Sequence, residues 1–374
     1  MEDCVADGGG PPDDTPDDGA GSDTSSPSVV VFGSVNVDRT QRLSGEPSDT
    51  AAACPAPGET VTVDSPPAAF TADATALGGK GANQAVAAAR AGVDTTLVGA
   101  VGVDAAAFGV RERLAAEGVE TRLATRETET GAAYIWVTPD GENRIAVLPG
   151  ANGTVTDTDA QRAASVARNA AVLLLQNEIP VAAATALLDE LHAAGENDGT
   201  GGDEMEAASD DDSEDPLTRT PVVIVDPAPA AGAESLVDHP RVDVFVPNEP
   251  EFDALRTELA VASARGAVVV RTEAADGASV FVGGHSPTPF TEPSVTVDAP
   301  SVDVVDTTGA GDAFAGYLAA TLGSGESADR AASENADSLA RLRHAVARGV
   351  WAGSRSCERE GAMTAPAPAP ADET

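Results

Sequence analysis

The chain has 374 residues, with 61 acidic and 22 basic side chains and a formal charge of −39. So acidic a protein can hardly form the basic face that nucleic-acid binders need, and it is not attracted to an anionic membrane surface. The hydrophobic fraction of 42 % allows most of the chain to fold into one large domain or two smaller ones.

The charge and the residue usage together predict a halophilic protein from a salt-rich cytoplasm. Self-repulsion at this charge is strong in dilute buffer but largely screened in molar salt, where the Debye length falls to about 3 Å. Lys80 is the only lysine, and every other basic residue is an arginine. An acidic tail that biases the total is the alternative, but acidic residues run through the whole chain.

Three segments are predicted to be disordered, namely residues 1–27, 195–220 and 367–374. The first is rich in Asp, Gly, Pro and Ser and lacks the apolar core of a signal peptide. The second is an acidic surface insertion, which costs little because loop-closure entropy grows slowly with length. No apolar run is long enough to span a bilayer, so we expect a soluble, cytoplasmic protein.

Between these segments, short β-branched runs alternate with alanine-rich helical patterns. The predicted strands are Val29–Phe32, Thr95–Val98, Val172–Leu175, Val222–Asp226, Val242–Val246, Val268–Arg271 and Val302–Val305. The predicted helices are Ala82–Ala91, Asp104–Glu117, Asp157–Asn169, Pro180–Ala194, Glu249–Leu259 and Ala310–Leu322. Gly92 and Gly118 are placed where a glycine ends the preceding helix. This alternation predicts an α/β fold with a mostly parallel sheet covered on both faces.

Two regions break this rhythm, roughly residues 39–75 and 119–148. They contain the alternating segments Thr60–Val63, Ala133–Thr138 and Arg144–Leu148, with no helix between them. We therefore expect a small sheet appended to the main domain.

The first motif is GSVNVD, Gly33–Asp38, directly after the first predicted strand. In an open α/β sheet, ligands bind outside the carboxyl ends of the strands. Asn36 and Asp38 are two residues apart on an extended chain, so they would face one side and could bind adjacent hydroxyl groups. A plain turn role for Asn and Asp is the alternative.

The second motif is ALGGKGANQAVAAARAG, Ala76–Gly92, which contains the sole lysine. It is not a Walker A loop, because Gly-x4-Gly-Lys-Ser/Thr occurs nowhere in the chain. Lys80 and Asn83 offer hydrogen-bond donors to a polyol instead. The alternative makes Lys80 an ordinary surface charge, but a lysine at a helix N-terminus is electrostatically unfavourable, and arginine is used everywhere else.

The third motif is VPNEPEF, Val246–Phe252, at another strand end. Asn248 and Glu251 are three residues apart across a helix start and hence share a face, where they could orient magnesium-bound water near a triphosphate. A capping box, with Asn248 at the N-cap and Glu251 at N3, fits equally well.

The fourth motif is VDTTGAGDAFAG, Val305–Gly316, with a Gly-Ala-Gly turn between a predicted strand and a helix. Small residues there let backbone N–H groups point at one spot, and the helix N-terminus adds partial positive charge, as in an anion cradle for phosphate. Asp312 beside the cradle suits a general base that accepts a hydroxyl proton in phosphoryl transfer. An N-cap aspartate on an ordinary turn is the alternative.

With these motifs in this order, the chain resembles the PfkB family of ribokinase-like carbohydrate kinases. GGKGANQAVAAARAG and DTTGAGDAFAG are similar to the two signatures of that family. PGET at Pro57–Thr60, NEPE at Asn248–Glu251 and REGAM at Arg359–Met363 are also similar to it. The resemblance implies one kinase domain over residues 28–366, with a Rossmann-like, doubly wound, mostly parallel sheet and a β-sheet lid formed by the two helix-free regions.

The resemblance also implies transfer of the γ-phosphate of ATP to the primary (5-) hydroxyl of D-ribose, with Asp312 as the general base. A sibling kinase acting on deoxyribose, a keto-sugar, a nucleoside or a sugar acid is the alternative. The implied anion hole consists of Gly309, Ala310 and Gly311. The implied sugar contacts are Asn36, Asp38, Gly78, Gly79, Lys80, Gly81, Asn83, Glu178 and Asp312. The implied ATP contacts are Asn248, Thr272, Gly277 and Gly311.

The cofactors that the resemblance implies are ATP, Mg²⁺ and K⁺, and the implied assembly is a homodimer formed through the lid. Glu251 would bind Mg²⁺ through water. The implied potassium positions, most of them backbone carbonyls, are Asp306, Thr308, Ser356, Arg359, Gly361 and Ala365. One departure from the family pattern is Ala274, which replaces the first glycine of the nucleotide loop at 272–277 and predicts a changed loop path. A non-catalytic regulator on this fold is disfavoured, because Asp312 and the glycine cradle are both present.

Overall fold

The computed structural model describes residues 28–44, 54–55, 60–68, 70–139, 143–197, 217, 219–283, 290–324 and 334–367. The N-terminal tail, most of the acidic stretch 195–220 and nearly all of the C-terminal tail lie outside the described residues, as do the first three residues of the PGET motif.

The described residues form two sheets, one of nine strands and one of five. In chain order the strands are β1 (Val29–Phe32), β2 (Asn36–Arg42), β3 (Thr60–Thr62), β4 (Ala74–Gly78), β5 (Thr95–Gly102), β6 (Val119–Arg126), β7 (Ala132–Val137), β8 (Asn143–Leu148), β9 (Val172–Gln176), β10 (Val222–Asp226), β11 (Val244–Phe245), β12 (Val268–Thr272), β13 (Ala278–Phe281) and β14 (Val295–Val297). The large sheet has the order β14-β13-β12-β11-β10-β9-β1-β5-β6. From β12 to β6 every pairing is parallel, and only β13 and β14 at one edge are antiparallel.

The helices cover both faces of the large sheet. They are α1 (Lys80–Arg90), α2 (Val110–Ala116), α3 (Asp157–Ala167), α4 (Val181–Asn197), α5 (Glu234–Val237), α6 (Glu249–Ala254), α7 (Arg256–Ala264), α8 (Ala310–Gly323) and α9 (Glu334–Ser356). Alternate residues of β1 show the two-sided burial: Val29 and Val31 pack into one core, Val30 and Phe32 into the other. Such burial on both faces explains why the strands are continuously apolar. Among the described residues, no helix combines the length and the apolar character needed to cross a membrane.

The small sheet has the order β3-β8-β7-β2-β4. One of its faces is packed around Tyr134 and Trp136, and the Phe70 ring meets both in edge-to-face contacts at 5.1 and 5.0 Å between centroids. Residues 119–126, which the sequence pattern assigned to this sheet, form β6 and pair with β5 in the large sheet instead. The alternation of β6 reflects its position at the edge of the large sheet, where one face is covered by helix and the other is exposed.

The predicted α/β class is confirmed, and so are the helix-ending glycines: Gly92 and Gly118 have φ of 97° and 83°. The predicted strand Val302–Val305 is wrong, because these residues pair with no strand in the described part of the chain and Val304 and Val305 are each 64 % exposed. The predicted helix over 104–117 starts only at Val110, and the one over 249–259 is interrupted at Leu255.

Candidate active site

The candidate site lies where the carboxyl ends of β1, β9 and β10 meet the N-termini of α1 and α8. Parallel strands bring their carboxyl ends to one edge of a sheet, and helix N-termini gather there as well. Residues from four distant parts of the chain, namely Lys80, Glu178, Asp226 and Asp312, therefore become neighbours.

Asp312 is the third residue of α8, and Gly309 with φ 77° is the N-cap, so the alternative of an N-cap aspartate is wrong. The Asp312 side chain is directed to α1, and the residue is 5 % exposed. Its Oδ2 accepts a hydrogen bond of 2.8 Å from the Asn83 amide, and its Oδ1 accepts one of 3.0 Å from the Gln84 amide. Two amides thus fix the orientation of this carboxylate.

The turn that precedes α8 requires small residues. A Cβ added to Gly309 would lie 2.1 Å from the Ala362 carbonyl oxygen, so this position excludes a side chain. A Cβ added to Gly311 would meet no atom within 4 Å, so the first turn of α8 is open on that side. A helix N-terminus that is open in this way is suited to a bound anion.

Lys80, the first residue of α1, is surrounded by carboxylates. Its Nζ lies 3.2 Å from Asp226 Oδ2 and 3.5 Å from Asp312 Oδ1. Burial by itself lowers the pKa of the ammonium, but the charges of Asp226, Asp312, Glu178 and Glu251 outweigh it and raise the pKa well above its ordinary value. Lys80 therefore stays protonated, and the alternative of an ordinary surface charge is excluded.

Some of the residues predicted for the sugar side lie in the small sheet, next to this cluster of charges. Asn36 and Asp38 begin β2 and pair with Gly78 and Ala76 of β4, on the extended backbone that the sequence predicted. A Cβ on Gly78 would lie 2.0 Å from Asp38 Oδ2, so the carboxylate packs directly over this glycine. Asp38 Oδ1 is buried without a hydrogen-bond partner among the described residues.

The pKa of Asp38 is raised to about 7 by burial and by the negative charges of Glu178 and Asp312. An unpartnered buried acceptor is costly unless a ligand donates to it. Asn83 Oδ1 is a second acceptor of this kind in the described part of the chain. The two oxygens are therefore available to the hydroxyl groups of a polyol.

Glu178, just after β9, connects β1 to α1. Its Oε2 accepts 2.5 Å from the Ser34 hydroxyl and 2.9 Å from the backbone N–H of Lys80. Burial raises the pKa of Glu178 despite the nearby Lys80 charge. Gly79 with φ 88° and Gly81 lie against the backbone of residues 34–36, where a Cβ would clash at 2.8 Å or less. These glycines thus let α1 start directly against the end of β1.

Asn248 and Glu251 form the capping box at the start of α6, with both reciprocal hydrogen bonds at 2.9 Å. Glu251 also belongs to the site, because it is close enough to Asp226 to feel its charge. Burial and this charge raise the pKa of Glu251, although the hydrogen bonds with Asn248 lower it. Thr272 forms an isolated parallel bridge with Asn248, so the nucleotide loop begins beside the capping box.

In the nucleotide loop, Ala274 has φ 48°, in the left-handed region that glycine adopts without strain. Gly277, with φ 97°, lies so close to the Val297 carbonyl that a Cβ would approach it to 2.0 Å. The alanine therefore keeps a left-handed turn at the position of the missing glycine.

The positions predicted for potassium gather behind the turn before α8. Asp306 accepts hydrogen bonds of 2.9 Å from the backbone N–H groups of Thr308 and Gly361. Burial by itself raises the pKa of Asp306, but these hydrogen bonds outweigh it and lower the pKa. The Thr364 hydroxyl donates to the carbonyls of Ser356 and Gly361 at 3.1 and 3.0 Å. The Ala365 carbonyl accepts 2.8 Å from the Arg90 guanidinium. Arg359 is exposed, and no contact of its side chain with this group is seen in the described residues.

Several site residues were not predicted from the sequence. Asp226, at the end of β10, binds Lys80 and the Gln84 amide. Asn152 donates to Asn36 Oδ1 at 2.8 Å and fixes its amide. Asp226 carried a usable signal, since a polar residue ends a buried predicted strand at the ligand-binding edge. Gln84 carried no such signal, because a glutamine within an alanine-rich helix is ordinary.

Three known proteins illustrate what the chain is similar to. A ribokinase of Staphylococcus aureus (strain COL) is 30 % identical over 309 residues, which cover 79 % of this chain and 86 % of that protein. A deoxyribokinase of Salmonella typhi is 31 % identical over 252 residues, which cover 65 % of this chain and 73 % of that protein. The structure of Arabidopsis thaliana ribokinase complexed with ribose and ATP has a TM-score of 0.61 at 25 % identity, covering 91 % of this chain and 96 % of that one.

The fold and the site define a kinase that transfers a phosphoryl group to a hydroxyl compound. The model that describes the pfkB family carbohydrate kinases matches residues 27–370. The chain belongs to this PfkB family, as its motifs predicted, and is an ATP-dependent sugar kinase.

Proposed function

We propose that this protein phosphorylates D-ribose at its 5-hydroxyl with ATP and gives D-ribose 5-phosphate. The observation that carries the proposal is the buried Asp312 carboxylate, held by two amides beside the open N-terminus of α8. Similarity to the ribokinase of S. aureus and to a ribose-bound ribokinase structure supports ribose as the sugar.

In the proposed reaction, Asp312 accepts the proton of the 5-hydroxyl as the sugar oxygen forms a bond to the γ-phosphorus. The bond between that phosphorus and the leaving ADP oxygen breaks in the same displacement. Backbone N–H groups of Gly309, Ala310 and Gly311 stabilise the charge on the transferred group. Lys80 adds a protonated ammonium next to the reacting atoms, and its pKa keeps it charged at any working pH.

On the sugar side, the proposal assigns Asn36, Asp38 and Asn83 to the hydroxyl groups of the ring. Asp38 Oδ1 and Asn83 Oδ1 are two of the buried acceptors without partners in the described part of the chain, and ring hydroxyls would donate to them. Asn152 holds the Asn36 amide through its Oδ1. Glu178 accepts hydrogen bonds from Ser34 and from the backbone N–H of Lys80, and so fixes the position of Lys80 relative to the sugar.

On the nucleotide side, members of this family use ATP with a divalent metal. Glu251 fits a place near that metal, because burial and the Asp226 charge disfavour its ionised form, and a cation relieves both effects. The metal neutralises charge on the phosphates when it is bound. We assign Asn248, Thr272 and Gly277 to the nucleotide loop contacts.

The oxygens of Asp306, Thr308, Ser356 and Gly361 are proposed to hold a potassium ion. A donor set made only of carbonyl and carboxylate oxygens suits a hard cation. The ion would supply positive charge behind the turn that carries Gly309. The carbonyls of Ser356 and Gly361 also accept from the Thr364 hydroxyl, but Ala365 is the weakest member of the predicted set, because the donor to its carbonyl is the charged Arg90 guanidinium.

A panel of acceptors tests the substrate and the cation together. We expect the pure protein, with ATP, Mg²⁺ and molar KCl, to phosphorylate ribose with a higher kcat/KM than deoxyribose, a keto-hexose, a nucleoside or a sugar acid. Coupled ADP release and mass analysis of the product measure this. A matched NaCl series should give lower activity. A preferred acceptor other than ribose contradicts the substrate, and equal rates in the two salts contradict the potassium site.

The raised pKa of Asp38 predicts a pH-dependent KM for the sugar. Below pH 7 the carboxyl is protonated and binds hydroxyl donors less well, so the KM should fall by up to about tenfold between about pH 6 and pH 8. Initial rates over a sugar series at each pH measure it. The Asp38→Asn variant, which cannot titrate, should show a higher KM that is flat over this range. An equally steep KM profile in that variant rules Asp38 out as the cause.

A further inference from the structure

Asp226 is a buried carboxylate to which the proposed reaction gives no task. It ends β10, is 5 % exposed, and its Oδ1 accepts 3.1 Å from the backbone N–H of Ala228. Its other oxygen, Oδ2, accepts from the Lys80 ammonium at 3.2 Å and from the Gln84 amide at 2.8 Å. The same two donors also reach Asp312, at 3.5 and 3.0 Å.

The Gln84 amide is held in this orientation from behind. Gln176 at the end of β9 donates to Gln84 Oε1 at 2.6 Å, which leaves the Gln84 NH₂ group directed to the two aspartates. Each of its two hydrogens then serves one carboxylate. Gln84 is fully buried, so no solvent replaces either bond. Asp226 and Asp312 are therefore joined through one amide and one ammonium.

How the Lys80 and Gln84 donors are shared between the two aspartates determines how readily Asp312 can accept a proton. If Asp226 were neutral, Asp312 would be the only anion of these two aspartates. Lys80 and Gln84 would then both bind Asp312 more tightly. A carboxylate whose lone pairs are taken by charged and amide donors is a weaker base. Glu251 of α6 also faces Asp226: two carboxylates in this position repel each other, and Glu251 adds no donor.

We propose that Asp226 is a positioning residue: it binds the Lys80 ammonium and the Gln84 amide, and so leaves the Asp312 carboxylate free to accept the hydroxyl proton of the sugar. The inference rests on the proposed function, because it takes Asp312 as the base. It adds a role for a residue that the proposed reaction leaves without one.

The test is Asp226→Asn in the full chain, with the rate of phosphoryl transfer measured in a single turnover across pH. We expect the rate to fall at least about tenfold while the Kd for ribose changes less than about threefold. The acid limb of the rate profile should move to lower pH, because Asp312 loses a neighbouring negative charge. A rate within about twofold of wild type, with an unmoved acid limb, overturns the proposal.

Asp243→Asn is the matched control, since Asp243 is fully buried, pairs with Arg241, and lies at the amino end of β11 away from the site. It should lower the melting temperature and leave the rate profile in place. If Asp226→Asn does not fold, Gln84→Met removes the shared amide instead and should move the acid limb to higher pH, because Asp312 loses a donor. If the acid limb of the rate profile does not move in Gln84→Met, that result also overturns the proposal. Wild-type protein that phosphorylates another acceptor but not ribose contradicts the proposed substrate alone, and the same single-turnover comparison of variants is then made with that acceptor.

Discussion

Replacing Asp312 by asparagine is expected to reduce turnover about 10²–10⁴-fold while ribose still binds. The amide cannot take the hydroxyl proton, but it keeps the volume of the carboxylate between Asn83 and Gln84. Product formation with ATP and ribose measures the turnover, and calorimetric titration with ribose measures the binding.

The control for this variant is Asp303→Asn, which makes the same charge change at an exposed position ahead of the turn. Its turnover should equal that of wild type in molar KCl. An Asp312→Asn protein with more than about a tenth of wild-type turnover contradicts the assignment of the base. Loss of ribose binding together with turnover would instead indicate a structural collapse of the site.

Replacing Lys80 by methionine is expected to abolish activity and to lower the free energy of unfolding by about 3–5 kcal/mol at pH 8. Asp226, Asp312, Glu178 and Glu251 would lose a cation whose charge they share. The pKa values of Asp226, Glu178 and Glu251 are already raised in the presence of Lys80, so these carboxyls protonate readily as the pH falls. The loss of stability should therefore shrink toward pH 5, as denaturant unfolding at both pH values would measure.

Lys80→Arg keeps the charge and is the matched variant. We expect it to recover most of the unfolding free energy, because the carboxylates regain a cation. It should not recover turnover, since the planar guanidinium is larger than the ammonium that fits between Asp226 and Asp312. A methionine variant as stable as wild type at pH 8 contradicts this account of the cluster.

The sequence predicted which residues gather at the candidate site, and for Asn36 and Glu178 one rule accounts for their position. Each lies just after a buried strand, β1 or β9, and parallel strands bring such positions together, whereas Asp312 was predicted from a strand that does not form and from its place at a helix start. Lys80 stood out as the only lysine in an acidic chain. The contacts among these residues were beyond prediction, because the directions of side chains depend on packing between α1 and α8.

The wrong strand prediction came from a local residue pattern that takes no account of a neighbouring strand. Val302–Val305 is β-branched and was predicted as a strand, yet its end binds the Cys357 carbonyl through the N–H groups of Val305 and Asp306 rather than a neighbouring strand. β-propensity describes a fit to a pleated surface, and a strand also needs a neighbour to pair with. Conversely, the short antiparallel strands β13 and β14 were missed, because polar residues interrupt their pattern.

The charge state of Lys80 has a consequence for the chemistry of an aldose. The open-chain form of ribose is an aldehyde, and a neutral lysine amine next to it forms an imine, the first step of glycation. The chain has this one lysine side chain, and the surrounding carboxylates keep its amine protonated and without a free electron pair. On the proposed function, the same carboxylates that bind Lys80 also protect the protein from covalent modification by its own substrate.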